Sequence, residues 1–268
     1  VKILVFIKET PDTEAKIIPT QGGQALDEGS KWILNPYDEN AVEAALGIKD
    51  RPPAWSASQE VEVVVASFGL SSSKERMIKA LAMGADRGLL VVREPGMVWD
   101  SYVVAKILSK VAESEKPDLI FCGKQGIDDD NMHIPPMIAE CLDWPHMNGV
   151  TALLWKEDVG RISVERDLDG GARVTYGSKL PILLGIHQAF NSPRYASLPG
   201  IMKAKKKPFD EKSPKDFGLS SEDLRPRTRI LSYELPKPKP PGKMIQGGSA
   251  HELVSLLVAS LKDEAKVI

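Results

Sequence analysis

Asp118-Leu-Ile-Phe-Cys-Gly-Lys-Gln-Gly-Ile-Asp-Asp-Asp-Asn131 passes from a short apolar run into a glycine-bearing acidic loop, and the sequence predicts a helix from about Met132. An apolar run of this length, bounded by turn residues, suits a strand buried on both faces. Glycines after such a strand allow backbone N–H groups to approach a phosphate at the start of the next helix, so the position suggests a ligand loop. On the residues alone, a generic strand-to-helix turn is the simpler reading. Asp128, Asp129 and Asp130 would repel a phosphate if all three faced it. Phosphate contact is therefore expected from backbone N–H groups or Lys124, with the aspartates capping the helix or binding ribose hydroxyls. A metal site would need further ligands, and nothing else in the sequence supplies them.

Outward from this loop the same pattern repeats. Val1–Ile7, Val61–Phe68, Leu89–Val92 and Ile182–Ile186 are further short runs rich in β-branched residues. Between them lie helical segments: Tyr37–Ile48 behind an Asn35 N-cap and Pro36, with Asp38 in its first turn; Lys74–Met83; and Ser101–Ala112. Alternation of this kind predicts an α/β fold with a doubly wound, mainly parallel sheet. After about residue 148, Val150–Lys156, Ile162–Asp167 and Gly171–Tyr176 read as strands joined by turns at Glu157-Asp158-Val159-Gly160 and Asp169-Gly170-Gly171, an antiparallel extension of the sheet.

From Asn191 to about Gly248 proline and lysine dominate, and so polar a stretch cannot bury enough surface to fold alone. It is expected to wrap a partner. Ser249-Ala250-His251-Glu252 is a capping box, and Leu253, Leu256, Leu257 and Leu261 give the following helix an apolar face that needs a neighbour. The expected organisation is a nucleotide-binding α/β domain at 1–190, an extended arm at 191–248 and a partner-packing C-terminal helix at 249–268.

The 268 residues are 42% hydrophobic and 27% charged with a net charge of −2, which gives no global field for nucleic acid or membrane. No apolar stretch approaches the roughly 20 residues of a bilayer span. Cys122 and Cys141 lack metal-ligand or Cys-x-x-Cys spacing and read as plain buried thiols of a reducing compartment. A strand-like run from Val1 leads to the expectation of no targeting peptide and a cytoplasmic location, or the mitochondrial matrix in a eukaryote. His133, His146, His187 and His251 are scattered, and there is no nucleophile elbow, Walker loop or dinucleotide fingerprint. No catalytic residue and no metal ligand is expected.

Gly123-Lys-Gln-Gly-Ile-Asp-Asp-Asp130 with Leu142-Asp-Trp-Pro145 closely resembles the nucleotide loop of electron-transferring flavoprotein beta subunits. Lys2-Ile-Leu-Val-Phe-Ile-Lys8, Asn35-Pro-Tyr-Asp38, Ala80-Leu-Ala-Met-Gly-Ala-Asp-Arg87 and Val164-Glu-Arg-Asp-Leu-Asp-Gly-Gly171 with Leu180-Pro181 resemble further family blocks, in family order. Pro193-Arg-Tyr-Ala-Ser-Leu-Pro-Gly-Ile-Met-Lys-Ala-Lys-Lys-Lys207 resembles the family's recognition loop.

The resemblance implies an adenine nucleotide alpha hydrolase-like fold and a heterodimer whose alpha subunit holds most of an FAD, while the beta subunit binds AMP without turning it over. It implies an electron carrier that docks onto flavin-dependent dehydrogenases and hands electrons to a quinone oxidoreductase or similar acceptor. The AMP contacts it implies are Phe6, Asn35, Pro36, Tyr37, Asp38, Phe68, Gly123, Lys124, Gln125, Gly126, Ile127, Asp128, Asp129, Asp130, Asn131, Met132, His133 and Ile134. Thr13 and Tyr37 map near the FAD. Arg194, Tyr195, Leu198, Pro199, Ile201, Met202, Lys203 and Lys206 map to the partner-binding surface, with Leu198 as its apolar anchor. Some positions depart from the family pattern. Phe6 and Phe68 stand where smaller residues are common, either to stack on adenine or to fill its space. Asn131-Met-His-Ile-Pro-Pro136 replaces a more polar stretch, and its prolines offer no N–H. Asp128-Asp129-Asp130-Asn131 differs from the loop of bifurcating members, which bind a second FAD, and is similar to the single-FAD, AMP-binding type. The alternatives are a bifurcating-type subunit and a stand-alone nucleotide-binding module. The lysine run lacks the interleaved aromatics of a nucleic-acid site and reads as a steering patch for an acidic partner.

Overall fold

The computed structural model describes residues 1–27, 29, 31–54, 60–156 and 159–268. The turn expected at Glu157-Asp158-Val159-Gly160 lies partly outside them. In chain order the strands are β1 (Lys2–Phe6), β2 (Glu9–Pro11), β3 (Ile18–Thr20), β4 (Ala25–Asp27), β5 (Trp32–Leu34), β6 (Glu62–Gly69), β7 (Arg87–Val92), β8 (Leu119–Gly123), β9 (His146–Trp155), β10 (Arg161–Asp167), β11 (Arg173–Lys179), β12 (Ile182–Ile186) and β13 (Phe209–Lys212). The α-helices are α1 (Pro36–Asp50), α2 (Lys74–Met83), α3 (Ser101–Glu115), α4 (Ile134–Leu142), α5 (Leu198–Ala204) and α6 (Ala250–Ala259).

Nine strands form one sheet in the order β11-β10-β9-β12-β8-β1-β6-β7-β13. All neighbours pair in parallel except β9 with β10 and β10 with β11, which make the expected antiparallel extension. The central strands carry near-continuous apolar runs because helices cover both faces. Ile3, Val5 and Ile7 face α1 and α2, whereas Leu4, Phe6, Val64 and Ala66 face α3 and α4.

Three local expectations shift. Asn35 stands at the N-cap of α1, but its side chain caps nothing there and reaches instead across to the loop after β8. Helix α4 starts at Ile134 because Asp130 and Met132 adopt left-handed backbone, φ 51° and 55°. This start places Pro135 and Pro136 in the first turn, where N–H groups have no intrahelical partner to lose. Cys141 is exposed, since Ile138 and Ala139 take the inward face of α4 and leave it on the outer one; Cys122 is buried.

The first compact unit runs from Val1 to Ser232. The stretch read as loop-like from Asn191 therefore contributes α5 and β13 to it, the latter pairing with β7 as an edge strand. The second unit, Tyr233–Ile268, carries α6. Its capping box is formed, with the Ser249 N–H donating to Glu252 Oε2 at 2.6 Å and the Glu252 N–H to Ser249 Oγ at 3.4 Å. Val254, Leu256, Leu257 and Val258 are exposed along it. Among the described residues no helix is long and apolar enough to cross a membrane.

Candidate functional site

The chain leaves β1 through α1 to reach β6 on one side and returns through α3 to β8 on the other. The carboxyl ends of β1 and β8 thus flank the point where strand order reverses, and ligands of open α/β sheets bind in the crevice there. The loop after β8 opens into that crevice.

Its first residues are held backbone atom by backbone atom. Asp38, buried in the first turn of α1, accepts the Lys8 N–H at 2.8 Å and the Gly123 N–H at 2.9 Å, joining the ends of β1 and β8. Burial pushes its carboxyl up to about 7, against the pull of the Lys8 N–H, Asn35 and the Gly123 N–H toward the ionised form. A Cβ on Gly123 would land on Asp38 Oδ1 and the Tyr37 side chain, so only glycine fits. The Lys124 N–H donates to the Ile186 carbonyl at 2.9 Å, and Asn148 Nδ2 donates to the Lys124 carbonyl at 3.2 Å. Asn35 closes the clamp from α1, with Nδ2 donating to the Gln125 carbonyl at 2.9 Å and Oδ1 accepting the Ile127 N–H at 3.3 Å.

The outer loop is tied to itself and to its neighbours. Asp128 pairs with Lys8 at 2.6 Å, and Gln125 Nε2 donates to Asp130 Oδ1 at 2.5 Å. The Asn131 N–H donates to Asp129 Oδ1 at 3.3 Å, and the His133 N–H donates to Asn131 Oδ1 at 3.0 Å. The His133 ring meets Ser101 Oγ at 3.2 Å. Phe6, only 3% exposed, belongs to the core under α3 and α4. Phe68 packs against the same core and receives Trp99 edge-on at 6.3 Å. Burial, and then Asp38, push the Cys122 thiol well up, so it is an inert thiol at the floor.

On the α1 side, the half-buried Tyr37 ring meets His187 at 6.5 Å and 67°. Burial, and then the Lys124 ammonium, lower the His187 pKa. Its Nδ1 accepts the Ala189 N–H at 3.1 Å. Thr13 is exposed, in the turn that Ala15 closes onto the Asp12 carbonyl at 2.9 Å. Sequence reasoning passed over His187 and Asn148. The available signal was position, since His187 follows β12 directly and so stands at a carboxyl strand end.

The segment 193–207 is a second candidate surface. Arg194 turns inward, with Nε on Glu43 at 2.8 Å and Nη2 on Asp50 at 2.7 Å. Lys207 Nζ donates to the carbonyls of Leu81 at 2.9 Å and Ala85 at 2.6 Å. Ala196 and Ala204 are buried, and Ile201 packs on the core. Tyr195, Leu198 and Met202 point the other way and are 94%, 79% and 73% exposed. Pro199, Lys203, Lys205 and Lys206 are exposed beside them. Of the expected partner-facing residues, Arg194 and Ile201 are therefore engaged by the chain itself.

Comparison with known proteins adds the relatives. The family model for the Electron transfer flavoprotein domain matches residues 23–217. The chain is 39% identical over 268 residues to the electron transfer flavoprotein subunit beta of Bradyrhizobium diazoefficiens, covering 100% of both chains. It is 36% identical over 267 residues to that of Bacillus subtilis, covering 99% of both. With the human protein of the same name it shares 36% identity over 270 residues, 99% of this chain and 98% of the relative.

Proposed function

The chain belongs to the electron transfer flavoprotein family as a beta subunit, and from that premise we propose that it is the partner-binding half of a heterodimeric electron carrier. A larger alpha subunit holds most of the FAD, and this chain completes the flavin's surroundings and docks the complex onto flavin-dependent dehydrogenases. The outward surface of 193–207 carries this reading. Two charged side chains and two alanines fix the segment from within, and three large apolar side chains are left in water with lysines around them. A monomer gains nothing from that pattern; a docking surface requires it.

This chain's residues suit a contributor to the flavin site. Tyr37 offers a half-buried ring backed by His187, and Thr13 an exposed hydroxyl. The bound isoalloxazine would supply the redox chemistry, taking electrons from the dehydrogenase and giving them to a quinone oxidoreductase or similar acceptor. Tyr37 and His187 would limit water on the side they cover. The exposed apolar side chains of α6 and the proline-rich chain before it are proposed to lie on the alpha subunit. The resemblance also implied a resident AMP; the crevice's own side chains argue against that part, and the carrier reading does not need it.

Co-expression with the alpha subunit tests the reading. The expected result is a yellow complex whose flavin is reduced by a flavin-dependent dehydrogenase. A colourless monomer that consumes nucleotide would support the stand-alone module instead.

A further inference from the structure

We infer that this chain has closed its adenine-nucleotide crevice with its own side chains, so that the complex carries flavin without a resident AMP; the inference rests on the beta-subunit reading. An adenine nucleotide needs a flat slot with an open face for the base, and N–H donors for the phosphate.

The slot is filled. Phe6 stands at the end of β1 in register with Ala66 of β6 and Cys122 of β8, beneath the crevice a base would enter. A ring that stacks on a base must keep one face open, but this one is 3% exposed with its faces in the core under α3 and α4. Phe68 at the end of β6 uses its ring on Trp99, 6.3 Å away at 83°, and Arg93 covers Trp99 in turn at 5.7 Å. Of the two uses open to aromatic residues here, stacking and filling, the burial favours filling.

The phosphate end is engaged in part. The N–H groups of Asn131 and His133 go to Asp129 and Asn131, and Pro135 and Pro136 have none. The His133 ring leans on Ser101. Lys8 is paired with Asp128 at 2.6 Å. A phosphate held by the Asn131 or His133 N–H would have to displace these bonds beside three aspartates.

The test is extraction of small molecules from the purified heterodimer, with intact FAD and AMP quantified separately, followed by unfolding of the same complex with AMP added. The expected result is near-stoichiometric FAD, AMP far below it, and an unfolding temperature that does not move with AMP. Binding to the folded state alone would raise that temperature with concentration. Near-stoichiometric AMP, or a dose-dependent rise, overturns the inference. Loss of FAD and of the second chain would instead count against the beta-subunit reading, so the two failures are distinguishable.

Discussion

The crevice and the 193–207 segment are built from similar residue types turned in opposite directions. In the crevice, Phe6 and Phe68 pack with the core and backbone groups of the loop's first turn are clamped by Asp38 and Asn35, while Gln125 Oε1 and Asn148 Oδ1 stay buried without a partner. In the segment, Arg194, Ala196, Ala204 and Lys207 are drawn inward, and Tyr195, Leu198 and Met202 are left outside. Aromatic or apolar character alone does not mark a binding surface. What separates the two regions is where the large apolar side chains go: inward in the crevice, outward in the segment.

The largest expected effect tests the first half of this contrast. If Phe6 is core, Phe6→Ala should cost the chain about 3–5 kcal/mol in urea unfolding. A loss well under that, with added AMP stabilising the unaltered chain but not the variant, would mean that the ring had been waiting for a base. Asp38 comes next. Its ordinary value is 3.8 and burial raises it to about 7 in the folded chain. The folded state therefore holds the proton between those values while the unfolded state has released it. The contribution of Asp38 to stability is accordingly highest at low pH, falls as pH rises toward 7, and levels off above that. Between pH 5 and 8 about two pH units of this slope are crossed, at ~1.4 kcal/mol each, or about 2–3 kcal/mol. Asp38→Asn should be less stable at low pH, since an amide cannot accept both N–H groups, but should lack this part of the slope. Parallel slopes for both proteins in urea titrations would show that Asp38 stays ionised throughout.

Leu198→Ala tests the other half. A leucine seated in a partner's pocket contributes roughly 1.5–3 kcal/mol. Dehydrogenase-driven flavin reduction should therefore need about tenfold to a hundredfold more complex for half-saturation. Flavin content and unfolding temperature should hold, because Leu198 is outside the core. Unchanged half-saturation removes the anchor; a destabilised chain would place Leu198 inside after all.

How far the sequence disclosed these regions follows from what each is made of. The strands buried on both faces could be found from their apolar runs alone, and α2 has the predicted bounds, because burial constrains every position. Edge strand β13 could not be found this way. It joins β7 through backbone bonds, and of its side chains only Phe209 is apolar. The start of α4 was misplaced because the left-handed turn at Met132 leaves no compositional trace. Of the crevice, the glycines and acids of the loop were legible, but the clamp was not. Asn35, Asn148 and His187 come from distant parts of the chain and meet only when the sheet is assembled. Filling versus stacking by Phe6 was likewise a question of burial, which the identity of the residue left open.

The smallest effect belongs to the lysines, and it separates steering from structure within one run of sequence. Lys203, Lys205 and Lys206 are exposed beside the outward apolar side chains, whereas Lys207 spends its ammonium on the carbonyls of Leu81 and Ala85 at the end of α2. An exposed charge acts on an approaching partner through water, so its influence falls once salt shortens the screening length to about 10 Å at 0.1 M and 3 Å at 1 M. Replacing Lys203, Lys205 and Lys206 with glutamine should therefore slow association with an acidic dehydrogenase surface at low salt and leave dissociation nearly unchanged. The difference from the unaltered complex should vanish at high salt. Lys207→Gln should behave in the reverse manner. It should lower the unfolding temperature by leaving two helix-end carbonyls without their donor, at a cost of about 1–3 kcal/mol, and leave the salt dependence of association alone. Stopped-flow association across a salt series, run on both variants, reads the two effects separately. If the triple variant associates at the unaltered rate in dilute buffer, the run is a solvated face and docking rests on the apolar side chains alone.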